Sequence, residues 1–240
     1  KNKGIDVFLE SLNRLSRDKN LKKNVLAFIN VPGWVGEPRA DLQERLKSKN
    51  QFDTPLEVPY ITHWLHNMSH DQVLDTMKYL DMANRPQDKV KVIFVPCYLD
   101  GKDGIFNKEY YDVILGQDLS VYASYYEPWG YTPLESVAFR VPTITTDLAG
   151  FGLWVKSLKN QNGLDDGVEV IHRSDYNYSE VADEIKDTVS AYSGKTAKEI
   201  ETIRKRAAAV AEQALWKHFI QYYYEAYDIA LRNAMKRQIN

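Results

Sequence analysis

Two carboxylates stand close together in the part of the sequence that is richest in chemically active side chains. Glu127 and Glu135 are separated by seven residues within residues 124–135, a stretch that also holds two prolines, a glycine and several aromatic rings. A simple connecting loop does not need this composition. Two acids at this spacing are expected to face one ligand crevice from different depths. The alternative for Glu135 is a role only in capping a helix.

The same stretch joins a predicted strand, residues 119–123, to a predicted helix, residues 133–139. In open parallel sheets, ligands bind beyond the carboxyl ends of the strands. Thr132 is expected as the N-cap, Pro133 as the first helical residue and Glu135 as the partner that completes a capping box. Because N–H groups at a helix start attract phosphate, the sequence predicts a diphosphate site. It lacks the glycine-rich fingerprint of NAD-binding proteins, which argues against NAD.

The remaining pattern predicts the scaffold that positions this loop. Short apolar runs alternate with helix-length segments, which predicts a mostly parallel sheet with helices on both faces. The fold class is therefore α/β, with a Rossmann-like domain at residues 1–176. The apolar runs expected to form strands are residues 25–29, 90–95, 119–123, 143–145 and 167–171.

From residue 177 onward, the pattern changes to three long helical stretches without strands. Residues 177–240 are therefore expected to form a helical extension that packs on the first domain. The last helix carries an aromatic stripe, which is typical of core or interdomain packing rather than of a binding surface. The stripe consists of Trp216, Phe219, Tyr222, Tyr223, Tyr224 and Tyr227.

Composition excludes several classes of protein. With 31 basic and 33 acidic side chains and no long run of like charge, the chain shows no sign of a nucleic-acid partner. It has no apolar stretch near the roughly 20 residues that span a membrane and no signal segment. A single cysteine, Cys97, excludes an internal disulfide and favours a cytoplasmic protein. Because Lys1 leads directly into an apolar-periodic segment, we interpret the chain as part of a larger protein.

The sequence YYEPWGYTP at residues 125–133 resembles the signature of glycogen synthases of the animal, fungal and Bacteroides type, including the E-x7-E pair of retaining GT-B glycosyltransferases. Further similarity covers nearly the whole chain, at residues 2–8, 85–93, 145–152 and 216–231. The resemblance implies the C-terminal half of a two-domain GT-B enzyme. Such an enzyme transfers glucose with retention from UDP-glucose to the non-reducing end of an α-1,4-glucan.

The resemblance also implies a role for individual residues. Glu127 would contact the hydroxyls of the glucosyl ring, and Glu135 would hold the ribose. Lys3, in the N-K-G motif, would neutralise the donor phosphates and assist departure of the nucleotide. Tyr110 would stack on the uracil, although Tyr111 beside it is an alternative. The other donor-binding candidates are Tyr126 and the residues whose backbone would hold the diphosphate: Trp129, Gly130, Tyr131 and Thr132.

No metal or other cofactor is expected, because UDP-glucose is a substrate and positive groups can stabilise the departing diphosphate. His63, His66 and His70 recur at steps of three and four residues, but no cysteine is near them in sequence. We therefore interpret these histidines as structural.

Other features of the resemblance limit what the chain is expected to do. The family's amino-terminal domain, with its acceptor groove and a histidine, and an arginine before N-K-G are absent, so the glucan would be bound through that missing domain and the fragment alone would be inactive. The helix that senses glucose 6-phosphate in eukaryotic members is represented by Arg204, Lys205 and Arg206, followed by alanines. We therefore expect weak or no activation by that sugar phosphate.

Several alternatives stay open at this point. Another retaining GT-B transferase, of the sucrose or trehalose kind, and a non-catalytic nucleotide-sugar-binding module both fit the residues. The choice between UDP and ADP, and association into a homo-oligomer, are likewise not decided by the sequence.

Overall fold

The computed structural model describes residues 2–158 and 161–238. Up to residue 171 most strands are followed by a helix, and three helices come after the last strand. The strands are β1 (Val25–Asn30), β2 (Val35–Pro38), β3 (His63–Leu65), β4 (Val90–Val95), β5 (Ser120–Val121), β6 (Thr143–Thr146) and β7 (Val168–Ile171). The helices are α1 (Ile5–Ser16), α2 (Ala40–Lys47), α3 (Gln72–Tyr79), α4 (Tyr110–Leu115), α5 (Tyr131–Ala138), α6 (Gly150–Ser157), α7 (Tyr178–Ser193), α8 (Ala197–Gln213) and α9 (Trp216–Gln238).

Parallel strand pairing dominates the fold. β1 pairs with β4, and β6 lies between β5 and β7, in each case in parallel. Parallel neighbours need crossover connections, and helices supply them between these strands. The predicted α/β class, with parallel sheets flanked by helices and a C-terminal helical extension, is confirmed. The antiparallel pair of β2 and β3 was not predicted from the sequence.

The apolar periodicity of α1 explains how the helices cover the strands. Leu9, Leu12 and Leu15 are fully or almost fully buried, as their steps of three residues on one helical face require, and Val7 is fully buried on another side of the helix. The helix contributes to two clusters, one with β1 and β4 and the other with α7 and the strands near β5. A third cluster joins α5, α6 and α8. Helices α7 and α8 therefore pack on the sheet-bearing part of the chain.

Helix α9 differs from its neighbours because most of its aromatic stripe is exposed in the described residues. Trp216 and the four tyrosines of the stripe are each about half exposed. Phe219, near the start of α9, contacts Trp129 and Trp154, whereas residues 221–237 are exposed along their whole length. Phe219 is therefore packed, as expected, whereas packing of the exposed aromatic side chains of the stripe against another domain stays a prediction. Within residues 2–158 and 161–238, no helix is both long and apolar enough to cross a membrane.

Candidate functional site

The N-K-G segment lies against the carboxyl end of β5. Gly4 adopts a left-handed conformation with φ 70°, and a Cβ at this position would lie 1.8 Å from the carbonyl oxygen of Ala123. The backbone N–H of Tyr125 donates to the carbonyl of Asn2 over 2.7 Å. Only glycine combines this φ with so close an approach at low cost. The turn before α1 is therefore fixed to the start of the loop that carries the two predicted acids.

This arrangement brings Lys3 into contact with Glu127, 124 residues away in sequence. The ammonium of Lys3 donates to Oε2 of Glu127, and the two side chains are 61% and 28% exposed. The backbone of Glu127 is held on both sides: its N–H donates to the carbonyl of Leu148 over 3.2 Å, and its carbonyl accepts from Gly150 over 3.1 Å. The carboxylate thus projects from a fixed loop, while the longer lysine side chain reaches it from solvent.

The start of α5 corrects the predicted cap. The N-cap is Gly130, with φ 100°, and no side chain forms a capping hydrogen bond there. Tyr131, Thr132 and Pro133 all lie inside the helix, so Thr132 is not the N-cap, Pro133 is not the first helical residue and the capping box is absent. The positive φ, which glycine tolerates, turns the chain two residues earlier than a threonine cap would. The N–H groups of this first turn are consequently free of a side-chain cap, as a phosphate-binding helix start requires.

Glu135 does not have the predicted capping role and instead binds a tyrosine of α4. Its Oε1 accepts a hydrogen bond from the hydroxyl of Tyr111 over 3.1 Å. The hydrogen bond to the nearby carboxylate raises the pKa of Tyr111, because ionisation of the phenol would place two negative charges together. The ring of Tyr111 also stacks on Phe139, with ring centroids 5.1 Å apart. The structure therefore joins α4 to α5 through Tyr111, which the sequence offered only as an alternative to its neighbour.

Tyr110 points in another direction. It is half-buried, and burial together with its hydrogen bond to Tyr122 raises the pKa of its phenol far above the usual range. Tyr122 in turn shares a hydrogen bond of 2.8 Å with Ser136 of α5. Tyr110 thus anchors the start of α4 on the residue after β5. Its predicted contact with a uracil ring stays a prediction.

The remaining donor-binding candidates divide into buried and exposed side chains. The ring of Trp129 lies among Phe151, Trp154 and Phe219, with centroids 5.7–6.1 Å apart. Its side chain therefore packs, and only its backbone is available for a ligand. Two further candidates are largely exposed, Tyr126 by 62% and Tyr131 by 73%. Their place on either side of the Glu127 loop leaves both rings free to contact a ligand.

A cluster that the sequence did not reveal surrounds Asp147, the residue after β6. Its Oδ2 accepts from His172 over 2.8 Å and from Lys156 over 3.1 Å, and its Oδ1 accepts from the N–H of Arg173 over 2.9 Å. Burial acts to raise the pKa of Asp147, but these donors outweigh burial and lower the pKa. The charged carboxylate is therefore favoured, and it ties the carboxyl ends of β6 and β7 to α6.

One group in the described residues has donor atoms suited to a metal ion. His63, Cys97 and Asp103 place these atoms within 4.8 Å of one another, so a cysteine lies near His63 in space although not in sequence. Both ring nitrogens of His63 are already engaged, Nε2 with the backbone carbonyl of Asp103 over 2.7 Å and Nδ1 with the hydroxyl of Thr62 over 2.9 Å. The Asp103 carboxylate accepts from N–H groups of the following turn. These hydrogen bonds are typical of a structural role, in which His63 and Asp103 hold the loop after β4 in place.

Sequence comparison identifies similar proteins. The sequence profile of the family described as glycogen synthase matches residues 41–240. A glycogen [starch] synthase of Neurospora crassa is 27% identical over 296 aligned residues, which cover 100% of this chain and 41% of the relative. Glycogen [starch] synthase isoform 2 of Saccharomyces cerevisiae is 28% identical, with 99% and 42% covered. The liver glycogen [starch] synthase of Mus musculus is 28% identical over 73% of the chain. The chain spans about two-fifths of the length of the two fungal relatives.

Proposed function

Because the chain belongs to the glycogen synthase family, we propose that it is the donor-binding half of a retaining glucosyltransferase. The proposed reaction transfers glucose from UDP-glucose to the non-reducing end of an α-1,4-glucan. The observation that carries the proposal is the contact between Lys3 and Glu127 at the carboxyl end of β5. It places one cation and one carboxylate beside an uncapped helix start, which is where a nucleotide sugar would need them.

The proposed roles follow from the charges that develop during transfer. Breaking the bond between glucose and diphosphate leaves positive charge on the sugar ring and negative charge on the phosphates. Glu127 would accept hydrogen bonds from the glucosyl hydroxyls, and Lys3, which is mostly exposed, would turn from Glu127 to the phosphates. The first turn of α5 would supply further N–H donors through the backbone at residues 129–132. We propose that these groups stabilise the departing UDP without a metal or other cofactor.

The other half of the reaction belongs, in this proposal, to the part of the enzyme outside this chain. The relatives are more than twice as long, which leaves room for a second domain that binds the glucan. We therefore propose that the chain binds the donor but does not transfer glucose alone. A cytoplasmic location is also proposed, on the basis of the single cysteine.

The proposal is tested by calorimetric titration of UDP, UDP-glucose and ADP-glucose into the chain and into Glu127→Gln. If Glu127 contacts the glucosyl ring, the variant will lose affinity for UDP-glucose by about tenfold and keep its affinity for UDP, since only the sugar-bearing ligand loses a charge-assisted hydrogen bond. A matched control is Glu44→Gln, an exposed acid on α2. Equal losses for both ligands would contradict the assigned role. Tighter binding of ADP-glucose than of UDP-glucose would contradict the proposed donor.

A further inference from the structure

The contact between Tyr111 and Glu135 is not explained by packing alone. Tyr111 is 45% exposed, yet its position is defined at both ends: the ring stacks on Phe139 with an angle of 27° between the planes, and the hydroxyl donates to Glu135. Phe139 ends α5 and Glu135 lies one turn before it on the same helix. An exposed phenol usually hydrogen-bonds with water, so a hydroxyl directed at one carboxylate oxygen restricts that carboxylate.

The neighbouring tyrosine accounts for the orientation of Tyr111. Tyr110 and Tyr111 are the first two residues of α4, and their directions differ by about 100° because a helix turns by that angle per residue. Tyr110 is directed inward to Tyr122, which shares a hydrogen bond with Ser136, and the Ser136 hydroxyl in turn donates to Ser120. With Tyr110 anchored beneath the helix, Tyr111 is held over α5. Tyr110 therefore attaches α4 to the sheet, and Tyr111 donates a hydrogen bond to Glu135 on α5.

A carboxylate that binds two adjacent hydroxyl groups must present its oxygens in one orientation. Glu135 has three side-chain torsions, and each free torsion lowers the fraction of molecules in the binding geometry. A hydrogen bond from Tyr111 to Oε1 restricts these torsions and leaves lone pairs on both oxygens for a ligand. The phenol is also a neutral donor, so it does not cancel the charge of the carboxylate as a lysine would.

We propose that Tyr111 is a positioning residue that orients Glu135 toward the ribose hydroxyls of the bound nucleotide, an inference that rests on the proposed function. Tyr111 acts through Glu135 and its hydroxyl, not through stacking of its ring on the base. Its contribution is therefore present with ligands that carry ribose hydroxyls and absent with ligands that lack them.

The experiment compares UDP with 2′,3′-dideoxy-UDP by calorimetry in the wild-type chain, in Tyr111→Phe and in Tyr79→Phe. Tyr111→Phe keeps the ring on Phe139 and removes only the hydroxyl. Tyr79→Phe removes an exposed hydroxyl from α3, where the ring is 88% exposed, and serves as the matched control. We expect Tyr111→Phe to weaken UDP binding by about three- to tenfold, within the range for one ordinary hydrogen bond, because the contact is partly exposed, and to leave the dideoxy ligand unaffected.

Each result has one meaning. Equal affinity of wild type and Tyr111→Phe for UDP would overturn the proposal, and so would an equal loss for both ligands, which would indicate contact with the base or phosphates. Tyr111→Ala separates the ring from the hydroxyl: a large loss in Tyr111→Ala with none in Tyr111→Phe assigns the ring to stacking and refutes positioning. If the wild-type chain binds neither UDP nor UDP-glucose, the proposed function itself fails. This result is distinct from those that refute only the role of Tyr111.

Discussion

Substitution of Gly4 by alanine tests how the N-K-G segment is held. The new methyl group would lie 1.8 Å from the carbonyl oxygen of Ala123, well inside contact distance, and φ 70° is a left-handed conformation. The backbone conformation costs about 1–2 kcal/mol for a residue with a Cβ. Displacement of a packed backbone adds about 1–3 kcal/mol. The free energy of unfolding is therefore expected to fall by roughly 2–5 kcal/mol.

The assay is urea unfolding followed by circular dichroism, with Gly116→Ala as the control. Gly116 has an ordinary φ of −82°, and its nearest contact to an added Cβ, the carbonyl of Val113, is 3.5 Å away. The free energy of unfolding of Gly116→Ala is expected to lie within about 1 kcal/mol of the wild-type value. Because the turn at Gly4 also fixes the backbone position of Lys3, Gly4→Ala should weaken UDP binding as well. A midpoint for Gly4→Ala equal to that of Gly116→Ala would refute the close packing of the N-K-G turn on Ala123.

Three further predictions concern other parts of the chain. Burial, with Asp103 and Asp100 nearby, raises the pKa of Cys97 to about 11. A thiol reagent at pH 8 should therefore react roughly a hundredfold more slowly with the folded chain than with the chain unfolded in urea. Equal reaction rates would contradict this prediction. Because the pKa of Asp147 is lowered, its charged carboxylate stabilises the fold at pH values above the usual carboxyl pKa, so Asp147→Asn should lower the free energy of unfolding at pH 7. The difference between variant and wild type should shrink below about pH 4, as the wild-type acid is protonated. A difference that does not change with pH in urea titrations at acid pH would refute this prediction. Arg204 donates to Asp118, and Arg206 to Asp166, so glucose 6-phosphate should shift the melting temperature little or not at all. A large shift that is lost in Arg206→Ala would contradict the expected weak or absent regulation.

The scaffold could be predicted because its signals are local. The apolar runs that form β1 and β4 and the periodicity of α1 depend only on neighbouring residues, and the structure confirms them. β2 was missed because it has only four residues and ends at Pro38, so it shows no alternation to read. The cap of α5 was misplaced because Gly130 begins the helix through its backbone conformation, which competes with the threonine signal.

The site was predicted only in part, because its contacts join distant residues. The approach of Lys3 to Glu127 depends on how the turn before α1 packs on β5, and the resemblance identified both residues without establishing their contact. Neighbouring tyrosines look equivalent in a sequence, and only the packing of Tyr110 on Tyr122 shows that Tyr111 faces Glu135. The proximity of His63 and Cys97 had no local signal, since they are 34 positions apart in the sequence.

The central claim is that Lys3 belongs to a nucleotide-sugar site formed by this chain. The most direct measurement is calorimetric titration of UDP into the wild type, Lys3→Ala and Lys19→Ala, where Lys19 is an exposed lysine beyond α1. UDP should bind the wild type, Lys3→Ala should weaken binding by about tenfold through loss of one charge-assisted phosphate contact, and Lys19→Ala should have no effect. UDP binding that is equal in Lys3→Ala and the wild type would contradict the claim.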